Sequence, residues 1–313
     1  MLPRSCLIAL GLAPVYLASP LQVPSHIDLV QRATSGFKAK PGTETIFPSD
    51  VTGGIYNDTV KFGLLSAHQT IGSANPQADG SDLIPGDGII GFGDNSLASL
   101  DGASPFFHSL CAQHKVSECR FGLVLGCDRG TQVLGRLDKS LFEGELTTTS
   151  IVQEWIIFAD LAFNGNVFRK DVLVELDSGT GTIIAPVAEV VAVFEEMKMQ
   201  YVVQKSGDVT SVKGYFPCDQ PPSLGFSIPS QSNVTAAAKE HSNLISHKSS
   251  TFNIPHDQWI AADNGNNNCT AVLSGTSEIK YPGLWVVGQP FFHDIYIDHN
   301  IANQTVGFAK ARS

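Results

Sequence analysis

From Gly53 onward, apolar residues come in short runs and alternations, over 54–61, 121–125, 155–163 and 172–176, each bounded by Gly, Asn or Asp. Alternation with a period of two suits a strand that buries one face, and Gly, Asn and Asp tolerate the turns between strands. These segments are predicted strands. Two others change to helical spacing, 104–114 and 186–200. In the second, Pro186 suits the first helical position, Glu189, Glu195 and Glu196 fall on a polar side, and Val187, Val190, Val191, Phe194 and Met197 form an apolar stripe. That stripe reads as core. Residues 20–52 are polar and mixed and carry no sustained period, while 227–250 is rich in Ser, Asn, Ala and His and reads as a surface insertion or long loop.

Composition agrees with this pattern. At 313 residues the chain can bury one large core or two moderate ones. Only 16% of residues are charged, while 29 glycines and 17 prolines point to many tight turns, so the expected class is mainly β. A formal net charge of -10 would repel phosphates, which argues against a nucleic-acid partner and fits a protein that works in acid. The nine histidines are scattered without an HExxH pattern, and no cysteine pair has zinc-finger spacing, so no metal and no cofactor are expected.

Residues 1–19 read as a secretory signal: Arg4 supplies charge, Cys6 opens an apolar stretch, and the small residues Ala18 and Ser19 follow. A buried strand is the alternative. The stretch is shorter than the ~20 residues a membrane helix needs, and no membrane partner is expected. Four glycosylation sequons begin at Asn57, Asn233, Asn268 and Asn303, which points to secretion into an oxidising, extracellular setting. Without Cys6, the cysteines are Cys111, Cys119, Cys127, Cys218 and Cys269, an odd number that leaves one thiol over.

The sharpest chemical feature is Val172-Leu173-Val174-Glu175-Leu176-Asp177-Ser178-Gly179-Thr180. An apolar strand delivers an acid into a turn whose Ser, Gly and Thr can hydrogen-bond and orient the carboxylate. In isolation, Asp-Ser-Gly-Thr is also an ordinary turn. Gly86-Asp87-Gly88-Ile89-Ile90-Gly91 matches the spacing GxGxxG, but Pro85 precedes it and Phe92-Gly93-Asp94 follows, without the strand and helix that dinucleotide binding requires.

The Asp177 motif resembles that of pepsin-like aspartic peptidases, which place hydrophobic-hydrophobic-Asp-Thr/Ser-Gly-Thr/Ser once in each lobe. In that family a later apolar pair ending in Gly threads beside each catalytic loop. Ile89-Ile90-Gly91 and Val286-Val287-Gly288 are similar to those pairs. Further matches keep the family's order, from Asp58-Thr59-Val60 and Gln69-Thr70-Ile71-Gly72 to Phe252-Asn253-Ile254-Pro255 and Val306-Gly307-Phe308-Ala309, and span about 52–311. The resemblance implies a bilobal, mainly β fold with a partial first lobe at 50–148 and a second at 149–313, after the signal and an irregular segment at 20–49. It implies Asp177 as the catalytic group, Gly179 and Thr180 as substrate-binding supports, and a Cys218–Cys269 disulfide. A Cys111–Cys119 bond is a further implication of the resemblance.

The chain also departs from the family. The mechanism that the resemblance implies uses two aspartates sharing a proton, and the first should lie some forty residues before the flap, near the signal. Nothing there matches: Asp28 is followed by Leu29-Val30, and the flap position reads Ile46-Phe47-Pro48-Ser49-Asp50 without the expected Tyr and Gly-rich turn. Gln289-Pro290-Phe291-Phe292 stands where Asp and a Phe-Leu pair usually follow the second Gly. Two readings stay open: an aspartic endopeptidase whose N-terminal segment is missing from this sequence, and a non-catalytic relative that binds peptides or proteins. Either is expected to act as a monomer on a peptide or protein partner.

Overall fold

The computed structural model describes residues 35–38, 52–74, 90–93, 103–126, 130–153, 155–230, 249–279 and 281–312. The signal segment, Asp28, the flap position, Cys127 and Asn233 lie outside them. The chain divides into two compact units, the smaller ending at Phe121 and including Thr131–Leu137, the larger holding Gly122–Gly130 and Asp138–Ser313.

In the smaller unit, strands β1 (Ser35–Lys38), β2 (Thr52–Phe62) and β3 (Leu65–Ala74) pair antiparallel in that order. Gly63, at φ 59°, makes the two-residue turn between β2 and β3, a conformation that costs a residue without Cβ nothing. Helix α1 (Phe106–Ala112) buries Phe106, Phe107 and Leu110. Phe62, Phe92, Phe106, Phe107 and Phe121 form one aromatic cluster, with Phe107 and Phe121 edge to face at 5.1 Å. The Gln113 side chain accepts from the His68 N–H (2.9 Å) and donates to its carbonyl (2.8 Å), tying the helix end to β3. Cys111 and Cys119 are disulfide-bonded just before β4 (Arg120–Val124), and β5 (Thr131–Leu134) follows.

The larger unit continues with β6 (Thr147–Ser150), β7 (Ile156–Phe163), β8 (Asn166–Leu176), β9 (Ile183–Pro186) and helix α2 (Val187–Glu196). Strands β10 (Gln200–Ser206), β11 (Val209–Phe216), β12 (Leu224–Pro229), β13 (Ser249–Asn253), β14 (Ile260–Asp263), β15 (Cys269–Thr276) and β16 (Leu284–Val287) come next. Helix α3 (Gln289–Phe292), β17 (Ile295–Asn300) and β18 (Thr305–Lys310) close the chain. Strands β10 to β13 belong to a ten-stranded sheet ordered β10-β11-β15-β9-β16-β8-β7-β12-β13, with β14 on β15. A second sheet holds β4, β17, β18 and β6 in that order. The buried core is rich in large side chains, including Trp259, Trp285, Tyr296, Phe226, Phe291 and Phe308, all essentially without exposure. The protein is mainly β, as expected.

Three boundaries differ from the sequence reading. Helix α2 stops at Glu196 because the chain turns at Lys198, which has φ 55°, and Gln200 already opens β10. Pro186 caps that helix instead of occupying its first turn, and it also ends β9. The supposed insertion from Ser227 is narrower than expected, since Ser227 is buried in β12 and pairs with Thr251 of β13. Hydrogen bonding to two neighbouring strands decided those residues against their polar composition.

Candidate active site

Strand β8 alternates cleanly near its end: Val172, Val174 and Leu176 are buried, whereas Leu173, Glu175 and then Asp177 are only partly covered. Asp177 is therefore delivered to the face away from the core, just where the strand stops. Beyond it, β8 and β9 do not pair with each other. Both flank β16, β8 in parallel through Leu176 and Val287, β9 antiparallel through Ile183 and Val287. The segment 177–182 must cross the end of β16.

That crossing is held by backbone. The Asp177 N–H donates to the Val287 carbonyl (3.0 Å), the Gly288 N–H to Thr182 (3.0 Å), and the Gln289 N–H to Thr180 (2.7 Å). Gly288 is required here because a Cβ would collide with the carbonyl oxygens of Thr180 and Thr182. The Thr182 hydroxyl donates to the Val272 carbonyl, anchoring the far side of the loop to β15. The Gln289 side chain, 9% exposed, donates through Nε2 to the Ser178 carbonyl (3.1 Å).

Within this frame the Asp177 carboxylate is held at both oxygens. The Gly179 N–H donates to Oδ1 (2.7 Å) and the Thr180 hydroxyl to Oδ2 (2.6 Å). Hydrogen bonds to a charged acceptor are the stronger kind, so the carboxylate is oriented before any ligand arrives. Gly179, Thr180 and Asp177 are thus brought together. Neither the sequence reading of Glu175 as part of an apolar strand nor that of Gln289 as a bare departure foresaw their places at this loop. The signal was there: Glu175 stands two residues before Asp177, hence on the same strand face. Burial pushes the Glu175 carboxyl up from its ordinary 4.5, and the neighbouring Asp177 charge adds to the rise.

A family model for eukaryotic aspartyl protease matches residues 34–311. The chain belongs to the eukaryotic aspartyl protease family. Among its relatives, an aspartic protease of Phaffia rhodozyma is 27% identical over 88% of this chain and 65% of its own length. Rhizopuspepsin-4 of Rhizopus niveus is 27% identical over 71% of this chain and 52% of its own, and pepsin II-2/3 of Oryctolagus cuniculus 25% identical over 83% and 64%. The chain thus spans between about half and two thirds of these relatives.

Elsewhere in the chain, Cys218 and Cys269 form a disulfide. Asp263 lies beside those sulfurs, but a disulfide offers no thiolate to a metal. Asn57, Asn268 and Asn303 are exposed, and the Asn57 side-chain oxygen accepts from the Thr70 hydroxyl (2.7 Å). No helix among the described residues is long and apolar enough to cross a membrane.

Proposed function

We propose that this chain carries one half of an acid endopeptidase site, with Asp177 as the catalytic carboxylate and Gly179 and Thr180 as its supports. The observation that carries this reading is the fixed carboxylate: both oxygens are hydrogen-bonded within a loop that backbone bonds to β16 hold in place. Peptide hydrolysis by such a group needs a base to take a proton from water and an acid to polarise the scissile carbonyl. Two facing carboxylates sharing one proton fill both roles, because like charges at that separation cannot both ionise. The Asp-Ser/Thr-Gly pattern occurs once in the 313 residues, and one carboxylate holds one proton state at a time. On this reading the 313-residue chain holds an extended peptide or protein segment without cleaving it.

Residues 50–148 then form a partial first lobe and 149–313 the second. Secretion as a glycosylated monomer fits the exposed sequons at Asn57, Asn268 and Asn303 and two disulfides, which persist in oxidising compartments.

The test is to assay the full chain for cleavage of a denatured protein between about pH 3 and 5, with and without a pepstatin-type inhibitor. No turnover is expected. Inhibitor-sensitive turnover that disappears in Asp177→Asn would overturn the inactivity and leave the assignment of Asp177 standing. Sequencing the 5′ end of the transcript separates the two origins of a lone carboxylate. An upstream Asp-Thr-Gly-Ser segment marks a complete endopeptidase, and its absence marks a non-catalytic, peptide-binding relative.

A further inference from the structure

Glu175 is the group near this site that the endopeptidase reading leaves without a role. It stands two residues before Asp177 on β8, about 6.6 Å along the strand, on the same partly covered face. Its cross-strand neighbours are apolar, Ile156 on β7 and Val286 on β16. Among the described residues it has no side-chain hydrogen bond and no ion pair, and the Arg169 guanidinium earlier on β8 is engaged with Glu189 of α2. Strands β9 and β16, which complete the surroundings, bring no ionisable side chain. The other acids on the β7–β8 hairpin, Asp160 and Asp171, sit toward its far end, where the Asp160 side chain accepts from the Asp171 N–H (3.0 Å). The electrostatic neighbour of Glu175 is therefore Asp177.

We propose that Glu175 sets the pH window in which Asp177 works, carrying a proton beside it in acid and placing a second negative charge on the same strand face once it ionises. Glu175 is a positioning residue in this role, since it acts through Asp177. The inference rests on the reading of Asp177 as the working carboxylate. Its physical basis is the setting of Glu175: beside a carboxylate held by two donors at a loop, it is flanked by apolar side chains and offered no donor, which disfavours its charged form. Protonated, Glu175 adds no charge beside Asp177. Ionised, it would repel the electron-rich groups that Asp177 has to meet.

The sign of the stability effect follows. A carboxyl whose folded value is raised stabilises the fold fully below its ordinary value of 4.5, and that contribution is lost as pH rises through the raised value. Melting curves of the full chain from about pH 3 to 8 are therefore compared for wild type, Glu175→Gln, Asp177→Asn and the double variant. Wild type and Glu175→Gln are expected to melt together in acid. Toward neutral pH the variant should melt a few degrees higher, and that gap should narrow, without closing, in the Asp177→Asn background. Curves that stay parallel throughout, or a gap indifferent to Asp177→Asn, would overturn the proposal. Should Glu175→Gln fail to fold, carbon-13 titration of the Glu175 carboxyl in wild type and Asp177→Asn reads the same coupling.

Binding of a pepstatin-type inhibitor supplies the separate arm. The pH above which binding is lost should move upward in Glu175→Gln, and an unmoved limit counts against the proposal. If wild type binds no inhibitor at any pH, the role given to Asp177 fails, and the pH window with it, whatever the melting curves show of the pair.

Discussion

Two stretches share one sequence pattern, an apolar pair followed by glycine, and the fold treats them differently. Val286-Val287-Gly288 ends β16 beneath the Asp177 loop, where the carbonyls of Thr180 and Thr182 leave no room for a Cβ. Ile90-Gly91, in the smaller unit, runs outside any strand or helix, and no atom of a described residue lies within 4 Å of where a Gly91 Cβ would sit. The same residues thus mean a tight crossing in one place and an exposed glycine in the other. A glycine is demanded by what passes over it, and in the larger unit that is a loop whose two ends flank a common strand. Among the described residues of the smaller unit, five phenylalanines cluster instead, two of them on helix α1.

The contrast can be tested by paired changes. The largest effect is expected from the two disulfides among the described residues, because closing a longer loop removes more freedom from the unfolded chain. Removing the bond across 51 residues, with Cys218→Ser and Cys269→Ser, should cost about 4 kcal/mol, against about 2.5 kcal/mol for the one across 8 residues, Cys111–Cys119. Denaturant titrations read both, and equal losses would contradict the loop-length argument.

Next come the glycines. Gly288→Ala forces a methyl group against two backbone oxygens and should lose about 1–3 kcal/mol or more. Gly91→Ala should stay within about 0.5 kcal/mol. Comparable losses at the two sites would mean that Gly91 is as enclosed as its counterpart.

The smallest effect at neutral pH, and a growing one in acid, concerns His299 in the larger unit. Its ring is fully buried edge-on to Trp155 at 4.6 Å, and burial lowers its pKa from the ordinary 6.5 to about 3. The neutral ring is therefore the folded form. Its stabilising contribution is complete above about 6.5 and is lost progressively as pH falls toward about 3, where unfolding lets the ring take up a proton. His299→Gln should flatten this part of the melting-temperature profile while leaving the smaller unit's hairpin untouched. An identical acid slope in the variant would remove His299 from the account.

Much of this was legible in the sequence. The alternation over 155–163 and 172–176 marked β7 and the end of β8, and the Asp177 motif pointed to a turn able to orient a carboxylate. Less legible was where polar segments join the sheets, as with Ser227, whose composition suggests a loop while its pairing with Asp160 and Thr251 makes it strand. Helix α3 was also missed, since four residues are too few to show a helical period.

The sequence by itself determined what repeats locally: the period of the strands, the apolar stripe of α2, the acid at the end of β8, and the placing of Glu175 and Asp177 on one face. Local chemistry suffices there, because alternation and turn propensity act over a few neighbours. Tertiary structure decided that β16 runs between β8 and β9, that Gly288 cannot bear a side chain, and that His299 is cut off from water. Those outcomes depend on segments more than a hundred residues apart, brought together by burial, which no stretch of either segment encodes alone.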